Sequence, residues 1–376
     1  MKNDYLTWFK NQLLELHGKE DIISLVSSSV DEPWTVFNQQ MSNHSGKDLM
    51  QRLSEPNPWG LSKLKELISS QYGINAQNII LTQGATNAIF LICQCLLCRG
   101  DEVLVEIPCY ELLWKTPELV GARVTFISRR DPDYSFDLKE IAQKVSEKTR
   151  LLILTNIHNP TGSFLSVENL LKILEVARSK NKEVKILVDE VYLDFLEVRP
   201  PPAFLLDNGF ITVSSLTKVY GLSILRCGWI AAEETILRQI RYNQVFVDGI
   251  GSRYLEAIST IVMENLDEYR TLSRNIVSKN RQVLAEMMTP LLKKSKIYGS
   301  LPDAGCLYFP EIPGVQNTDA LTDYLINEHK VCVAPGWFFG KPNHIRIGFG
   351  GSPNKLREGL KRFIKGLEIF LKQSGL

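Results

Sequence analysis

The stretch from Ser214 to Gly221 contains the residues with the most specific chemistry in this sequence. Lys218 follows Ser215 and Thr217, and Arg226 comes eight positions after the lysine. Hydroxyls and a guanidinium can together neutralise a phosphate dianion, while a lysine amine attacks an aldehyde. The pattern therefore predicts a Schiff-base lysine beside a phosphate site. A lysine taken by itself is more often a solvated residue of a polar loop.

Two further polar groups follow apolar, strand-like stretches. Asp189 ends such a stretch with Tyr192 three residues later, and Asn159 begins the string Asn-Pro-Thr-Gly. A buried carboxylate is costly unless it is paired, and a protonated ring nitrogen would pair Asp189 and make the ring a better electron sink. Tyr192 and Asn159 could reach an oxygen of the same ring. The alternatives are a carboxylate that caps a helix and an ordinary Asn-Pro turn.

Three other segments could complete a site for one small molecule. Gly84-Ala85-Thr86 joins a strand to a helix, whose first free amides and the Thr86 hydroxyl could bind an anion. Tyr110 could stack on a planar ring. Arg346 lies in an apolar segment, where a rigid guanidinium suits bidentate binding of a carboxylate. The alternatives are a plain helix start, a core tyrosine and an exposed edge-strand arginine.

Composition limits the classes of partner. The 376 residues include 43 Lys and Arg and 42 Asp and Glu, for a net charge of +1, and the basic residues are spread along the chain. Nucleic acid and anionic membranes are therefore poor partner candidates. The first 25 residues lack the apolar stretch of a signal peptide, and no segment reaches transmembrane length. We expect a cytoplasmic protein that acts on a small molecule.

Cysteine and histidine usage gives no sign of a metal centre. The seven cysteines show no disulfide framework, and Cys93, Cys95 and Cys98 lie in an apolar helix without a second pair of ligands nearby. Such thiols usually act as small hydrophobic side chains. The five histidines show no ligand spacing. We therefore expect no metal.

Residues 60 to 232 alternate between helix-like and strand-like stretches. Helices are predicted over Gly60–Gly73, Ala85–Cys98, Leu138–Val145 and Val167–Arg178, and strands over Asn78–Thr82, Glu102–Ile107, Arg123–Ile127, Leu151–Thr155, Lys185–Val188, Phe210–Val213 and Gly228–Ala231. Unbroken apolar strands separated by helices predict an α/β fold with a mixed, mostly parallel sheet covered on both faces. Ligands of such sheets bind at the carboxyl ends of the strands, where the motifs also fall.

The pattern changes after Glu233. Long amphipathic helices extend to about Lys294, and shorter strand-like segments and a final helix over Asn354–Lys372 follow. We predict a large domain over residues 51–275 and a smaller α+β domain over residues 276–376. Residues 1–50 would form an N-terminal segment that packs with the small domain.

Taken in order, seven short motifs make the sequence similar to the class I/II aminotransferases, fold-type I enzymes that use pyridoxal 5′-phosphate (PLP). The motifs are Gly84-Ala85-Thr86, Pro108-x-Tyr110, Asn159-Pro160-Thr161-Gly162, Asp189-x-x-Tyr192, Ser215-x-Thr217-Lys218, Arg226-x-Gly228 and Arg346-x-Gly348. None is specific alone, but their order and spacing are typical of this family. The resemblance covers about residues 50–360 and implies an aspartate aminotransferase-like large domain.

The resemblance also implies a role for each motif. Lys218 would form the Schiff base with PLP and later move the Cα proton of the substrate. Asp189 would pair with the pyridine nitrogen, Tyr192 and Asn159 would bind the ring hydroxyl, and Tyr110 would stack on the ring. The phosphate would be held by Gly84, Ala85, Thr86, Ser215 and Arg226. Family members are usually homodimers whose subunits share active sites, so a homodimer is implied.

The substrate end of the site resembles the family less closely. Arg346 is expected to bind the substrate α-carboxylate, with Asn159 beside it. The loop Ser27–Thr35 is similar to the serine-rich opening of the capreomycidine synthase branch, whose members cyclise hydroxylated arginines, so Ser28 and Ser29 become substrate-binding candidates. Acidic Asp31 and Glu32 could bind a guanidinium there or form a solvated acidic turn.

A second departure concerns the phosphate. Many relatives carry a tyrosine that reaches the partner's phosphate shortly before the glycine that opens an early helix. The run Leu53–Gly60 contains no tyrosine. This run therefore offers no tyrosine for a partner-subunit contact of that kind.

The resemblance thus implies a PLP-dependent enzyme that acts on an α-amino acid through an external aldimine and Cα deprotonation. Transamination is the favoured reaction. The alternative is a cyclase or lyase that eliminates water from a hydroxylated arginine and closes a cyclic guanidine of the capreomycidine or enduracididine type. A non-catalytic regulator is disfavoured, because Lys218, Asp189 and Arg226 are all present and no basic patch accompanies them.

Overall fold

The computed structural model describes residues 4–16, 18–19, 21–54, 56–249 and 251–375. Numbered along the chain, the strands are β1 (Ile23–Ser24), β2 (Ile79–Thr82), β3 (Glu102–Ile107), β4 (Arg123–Arg130), β5 (Ser135–Phe136), β6 (Thr149–Thr155), β7 (Lys185–Asp189), β8 (Phe210–Ser215), β9 (Gly228–Ala231), β10 (Leu307–Tyr308), β11 (Val331–Cys332), β12 (Ala334–Pro335) and β13 (Ile345–Gly348). The helices are α1 (Tyr5–Leu16), α2 (Trp34–Ser42), α3 (Gly46–Leu53), α4 (Ser62–Tyr72), α5 (Ala85–Leu96), α6 (Leu112–Leu119), α7 (Leu138–Lys144), α8 (Val167–Lys180), α9 (Glu234–Asp248), α10 (Arg253–Glu264), α11 (Leu266–Lys293), α12 (Asp319–His329) and α13 (Pro353–Gln373).

An eight-stranded sheet forms the centre of the protein, with the order β2-β9-β8-β7-β6-β3-β4-β5. The pairs β4–β3, β3–β6, β6–β7 and β7–β8 are parallel, while β2, β9 and β5 pair antiparallel to their neighbours. The predicted mixed, mostly parallel sheet is therefore confirmed. Because β3, β6, β7 and β8 are parallel neighbours, their carboxyl ends lie next to one another at one edge of the sheet.

Both faces of this sheet are covered by helices, as the unbroken apolar strands require. Val105 of β3 packs in one core cluster with Ile89 and Ile92 of α5. Leu104, its neighbour in the strand, packs on the opposite face with Leu170 of α8. Successive strand residues point to opposite faces, so a strand that is apolar throughout can be buried on both.

The C-terminal part of the chain forms a smaller unit around the antiparallel sheet β10-β13-β12, with α12 and α13 packed together. The N-terminal segment contacts this unit, because β1 pairs with β11 and Tyr5 packs against Phe338 and Phe339. It also contacts α10 through α2 and α3. Helix α11 passes through residue 275 without interruption, and the domain boundaries at 50 and 275 remain predictions. No helix within the described ranges is both long and apolar enough to cross a membrane.

Candidate active site

The predicted site residues converge on the shared edge of the central sheet. Tyr110 follows β3, Asn159 follows β6, Asp189 is the last residue of β7, and Lys218 lies three positions after β8. Because these strands are parallel neighbours, turns that are distant in sequence meet around one space. The structure thus brings together four of the residues that the motifs single out.

The Lys218 amine contacts the N-terminal loop at this edge of the sheet. Its Nζ donates a hydrogen bond of 2.9 Å to the hydroxyl of Ser28, and the Lys218 carbonyl accepts one from the amide of Val30. Burial lowers the pKa of Lys218 to about 8, and the positive charge of Arg346 acts in the same direction. A lysine with this pKa has a much larger fraction of nucleophilic free amine at neutral pH than a solvated one.

Asp189 presents a buried carboxylate to the same space. Within the described part of the chain, that carboxylate accepts one hydrogen bond, from the amide of Val191 at 3.1 Å. Burial raises the pKa of Asp189 to about 6, although the nearby amine of Lys218 acts against the shift. A carboxylate with so few partners in a buried position suits a cationic partner such as a protonated ring nitrogen.

Strand register assembles the predicted anion site. Gly228 of β9 pairs with both Ser215 and Thr82, so the end of β8 lies beside the turn that begins α5. At Gly84, whose φ is +84°, an added Cβ would lie 3.0 Å from the Arg226 guanidinium. An added Cβ at Gly228 would lie 2.7 Å from the Gly84 backbone. The two glycines thus let Arg226 lie against the N-terminus of α5, where amides favour an anion.

The other members of the predicted anion site lie around this cradle. Arg226 is exposed and donates a 3.0 Å hydrogen bond to the carbonyl of Gln83. Ser215 is buried and its hydroxyl accepts from the amide of Thr217 at 3.3 Å. Ala85 and Thr86 open α5, and the Thr86 side chain is exposed. Hydroxyl, guanidinium and free helix amides are therefore grouped as phosphate binding requires.

Arg346 is fully buried, in the middle strand of the small sheet, so the alternative of an exposed edge-strand arginine is wrong. Its guanidinium donates to Asn159 Oδ1 at 3.1 Å and to the carbonyl of Val26 at 2.9 Å, and it also donates to the Tyr5 hydroxyl. Its Nε has no hydrogen-bond partner among the described residues. A buried, unpaired guanidinium nitrogen is costly, and a substrate carboxylate would satisfy it.

Tyr5 is a site residue that sequence reasoning missed. It comes from α1, and besides contacting Arg346 its ring lies edge-on to Tyr110, with 5.8 Å between the centroids. Burial raises the pKa of the Tyr110 hydroxyl, which also lies within the electrostatic influence of Arg346 and Asp189. No local sequence pattern predicts that Tyr5 belongs to the site, because its position there depends on how α1 packs against the small unit.

Other predicted residues make contacts that the motifs did not indicate. The Tyr192 hydroxyl donates to the carbonyl of Ser28 at 2.8 Å. The Ser29 hydroxyl lies 3.2 Å from that of Ser27, on the same loop. Asp31 is exposed and accepts a 3.1 Å hydrogen bond from the amide of Ser352, the residue that precedes α13. This hydrogen bond uses one oxygen of the exposed Asp31 carboxylate, and the role of Asp31 toward a substrate stays a prediction.

Within the run Leu53–Gly60, Glu55 lies outside the described residues. Trp59 is half-exposed and lines one cavity together with Arg226 and Gln83. Among the described residues, no group of three or more His, Cys, Asp or Glu side chains could hold a metal ion.

These features fit PLP. Gly84 and Gly228 let Arg226 lie at the N-terminus of α5, where an anion is favoured, and the Asp189 carboxylate, which accepts one hydrogen bond from the described residues, suits the ring nitrogen. The charges of both Asp189 and Arg226 act on the Lys218 amine. The orphaned Nε of Arg346 suits a substrate carboxylate. The residues present thus supply a partner for each charged part of the cofactor and for one part of an amino-acid substrate.

Solved structures share this fold over nearly the whole chain. A PLP-dependent aminotransferase from Streptococcus suis superposes with a TM-score of 0.86 at 23% identity, covering 98% of this chain and 99% of the other. The PLP-dependent cyclase OrfR superposes with a TM-score of 0.82 at 24% identity, covering 97% and 96%. The fold and the site together define a PLP-dependent enzyme of the aspartate aminotransferase-like fold.

Sequence comparison identifies the family. The family model for aminotransferase class I and II matches residues 32–363, and the chain belongs to this family. It is 25% identical over 374 residues to an aspartate aminotransferase of Pyrococcus horikoshii, covering 95% of this chain and 94% of that protein. It is also 26% identical over 286 residues to the capreomycidine synthase of Streptomyces vinaceus, covering 75% and 72%. The predicted family and cofactor are confirmed.

Proposed function

We propose that this protein is an aminotransferase in which Lys218 holds PLP and transfers the Cα proton of an α-amino acid. The observation that carries the proposal is the pKa of the partly buried Lys218, which burial lowers to about 8, with the charge of Arg346 acting in the same direction and that of Asp189 against it. PLP, when bound, withdraws electrons from the substrate Cα and so acidifies its C–H bond. A free amine at this place can accept that proton and return it elsewhere on the substrate.

The remaining residues bind and orient. Arg346, supported by Asn159 and Tyr5, would bind the substrate carboxylate and so fix the Cα–H bond relative to Lys218. Asp189 would keep the ring nitrogen protonated. Tyr192 would act near the ring oxygen and Tyr110 on the ring face. The phosphate would be bound by Gly84, Ala85, Thr86, Ser215 and Arg226.

Stoichiometry in a single turnover tests the reaction. Mixed with one amino acid and no second substrate, a PLP-loaded aminotransferase should release about one keto acid per active site and no ammonia. Adding an α-keto acid should then restore its capacity for a second turnover. Transamination would be contradicted by a continuous release of water or ammonia that does not require an α-keto acid as acceptor. Lys218→Ala is the matched inactive control, because it removes the amine and leaves Arg346 and Asp189 in place.

A second candidate is the cyclase reaction, favoured by the contact between Lys218 and Ser28. That contact places a serine-rich loop directly on the catalytic amine, and one relative is named a capreomycidine synthase. Asp31 has one carboxylate oxygen bonded to the Ser352 amide and is otherwise exposed, so it stays available to a guanidinium. Incubation with hydroxylated arginine separates the two reactions, because a cyclase forms a cyclic guanidine with no keto acid.

We also propose that the protein works as a cytoplasmic homodimer. Tyr242 and Phe246 are exposed aromatic residues one turn apart on α9, and their rings lie 5.3 Å apart. Trp59 is half-exposed and lines one cavity with Arg226, so a second subunit that covered both α9 and Trp59 would also reach the phosphate cradle. An exposed apolar face of this kind is typical of a subunit interface.

Sedimentation of Phe246→Asp tests the dimer. We expect a monomer with weakened PLP binding, whereas Leu119→Asp, at another strongly exposed apolar residue, should sediment like the wild type. A Phe246→Asp protein that remains dimeric would place the interface elsewhere. The division into a large unit over 51–275 and a small one over 276–376, with residues 1–50 beside it, remains part of the proposal.

A further inference from the structure

Behind the candidate site lies a fully buried ion pair that the proposed reaction does not use. Glu106 of β3 and Arg129 of β4 have no exposed side-chain surface, and their closest N···O distance is 2.6 Å. Burial raises the pKa of Glu106, while Arg129 and hydrogen bonds from Thr155 act in the opposite direction. A buried ion pair is rarely the most stable filling of a core, since apolar residues of similar volume often serve as well. Stability alone therefore does not explain why this ion pair is present.

The pair is bonded to the strand end that carries Asn159. Glu106 Oε1 accepts hydrogen bonds from the amide of Thr155 at 2.7 Å and from its hydroxyl at 2.6 Å. Arg129 donates to the carbonyl of the same threonine at 2.9 Å. The Thr155 hydroxyl in turn accepts from the amide of Asn159 at 3.4 Å. The amide and the carbonyl of Thr155 are thus bonded to the ion pair. Its hydroxyl is bonded both to Glu106 and to the turn that carries Asn159.

The same strand end is joined to Asp189. Thr155 and Asp189 are paired in the register of β6 and β7, and the next residue, Asn156, donates its amide to the Asp189 carbonyl at 2.9 Å. The charge of Glu106 also acts on the Asp189 carboxyl and raises its pKa. The position of the Asp189 backbone therefore depends on the position of Thr155, which is fixed by hydrogen bonds to Glu106 and Arg129.

His158 extends the connection to the turn that carries Tyr110. Its Nε2 lies 2.8 Å from the carbonyl of Pro108, and its Nδ1 lies 2.7 Å from the hydroxyl of Thr161. Burial and the nearby charge of Arg129 hold the pKa of His158 well below its usual value, so the ring is neutral. A carbonyl can only accept, so Nε2 carries the proton and Nδ1 accepts from Thr161.

We propose that Glu106, Arg129 and His158 form a positioning network that fixes Tyr110, Asn159 and Asp189 around the PLP ring. The network joins the ends of β3, β6 and β7 by hydrogen bonds that leave little freedom for relative movement of the three turns. None of its members contacts the reacting atoms, so they are positioning residues. The inference rests on the roles proposed above for the three residues that it positions.

Two substitutions at His158 separate its hydrogen bonds. His158→Gln can present an amide NH₂ near the place of Nε2 and keep the bond to Pro108, whereas His158→Asn can replace only Nδ1. We expect His158→Asn to raise the PLP dissociation constant of the apo-protein roughly five- to ten-fold, the loss of about one hydrogen bond, and to shift the visible absorbance of bound PLP. His158→Gln should stay within about two-fold of the wild type.

A matched control distinguishes positioning from general stability. Tyr269→Phe removes a buried 2.7 Å hydrogen bond to Gln40, away from the three turns. It should lower the melting temperature of the apo-protein as His158→Asn does, yet leave PLP affinity and absorbance unchanged. The proposed positioning role is overturned if the His158→Asn protein has a lower melting temperature but binds PLP as tightly as the wild type and shows the same absorbance spectrum.

The ion pair is tested as a unit. Glu106→Gln alone would leave the Arg129 guanidinium buried without a counter-charge, a change that often unfolds a protein. The double variant Glu106→Gln/Arg129→Met removes both charges and keeps an acceptor for Thr155. We expect a folded apo-protein with at least about five-fold weaker PLP binding, and wild-type affinity would overturn the role of the pair. If the wild type itself binds no PLP, the proposed function fails, independently of the network.

Discussion

The hydroxyl of Ser28 accepts a 2.9 Å hydrogen bond from the amine of Lys218, across 190 positions of sequence. Two further hydrogen bonds strengthen the contact, from Tyr192 to the Ser28 carbonyl and from the Val30 amide to the Lys218 carbonyl. The N-terminal loop is thereby held on the residue that we assign to proton transfer. The position of the amine depends on this loop as well as on β8.

Ser28→Ala should lower kcat about two- to ten-fold with a smaller change in KM. The variant removes one acceptor of the Lys218 amine and so widens its range of positions, a loss of about one net hydrogen bond. Steady-state kinetics with the best amino donor measure the effect. Ser179→Ala is the matched control, because the exposed Ser179 hydroxyl donates to the Val176 carbonyl within α8. Equal losses in both variants would contradict a specific role for Ser28.

The rate of PLP incorporation into the apo-protein should rise with pH to a midpoint near 8, the value to which burial lowers the pKa of Lys218. Only the unprotonated amine attacks the PLP aldehyde. Borohydride trapping followed by peptide mass spectrometry should place the label on Lys218, and Lys218→Ala should not be labelled there. A midpoint near the ordinary lysine value would show that the amine is solvated.

The same pKa predicts how apo-protein stability varies with pH. In the folded protein the pKa of Lys218 is about 8, against 10.5 for an ordinary lysine, so between these values the unfolded state binds more protons. Stability therefore rises with pH through that window. Relative to Lys218→Met, the wild-type free energy of unfolding should gain up to a few kcal/mol between pH 8 and pH 10. Parallel stability curves for the two proteins would refute the shift.

Asp189→Asn should stabilise the apo-protein and lower its affinity for PLP. Burial raises the pKa of Asp189 to about 6 from 3.8, so the ionised carboxylate destabilises the folded state above that pH. At pH 8 the variant should be more stable by about 1–3 kcal/mol, and the difference should shrink as pH falls from 6 to 4. PLP affinity should drop at least about ten-fold, because the counter-charge of the ring nitrogen is lost. Chemical denaturation at several pH values and PLP titration measure the two effects.

Tyr5→Phe should raise KM for the amino acid about ten-fold and change kcat less. The variant removes the hydroxyl that accepts from Arg346 and leaves a guanidinium N–H without a partner in a buried position. The half-exposed Tyr298 provides the control, and Tyr298→Phe should behave as the wild type. Unchanged KM in Tyr5→Phe would mean that α1 does not help to orient the carboxylate-binding arginine.

Much of the fold follows from local sequence. The predicted strands Glu102–Ile107 and Gly228–Ala231 agree with the structure at both ends, because each is an apolar run bounded by a turn. The helix predicted over Ala85–Cys98 ends two residues earlier, at Leu96. Other boundaries differ by a few residues, as expected where the last hydrogen bonds of an element depend on its neighbours.

The chemistry of the site could be inferred from the order of seven motifs and not from any one of them. Asp189 and Arg346 lie in apolar segments where a charge is costly unless it is paired, whereas Lys218 lies in a polar stretch and is assigned its role by the motifs around it. Glu106 carries a similar signal, as a charge within the mostly apolar strand β3, but the signal does not identify its partner. Arg129 carries none, because most of the other residues of β4 are polar or charged.

The sequence by itself determined which side chains are available and at which strand ends they lie, because periodicity and turn residues depend on neighbours in the chain. Only the tertiary structure decided that Ser28 reaches Lys218, that Tyr5 contacts Arg346 and that Asp31 accepts a hydrogen bond from Ser352. These contacts join segments more than a hundred residues apart. Their geometry depends on the packing of whole elements, which no local pattern encodes.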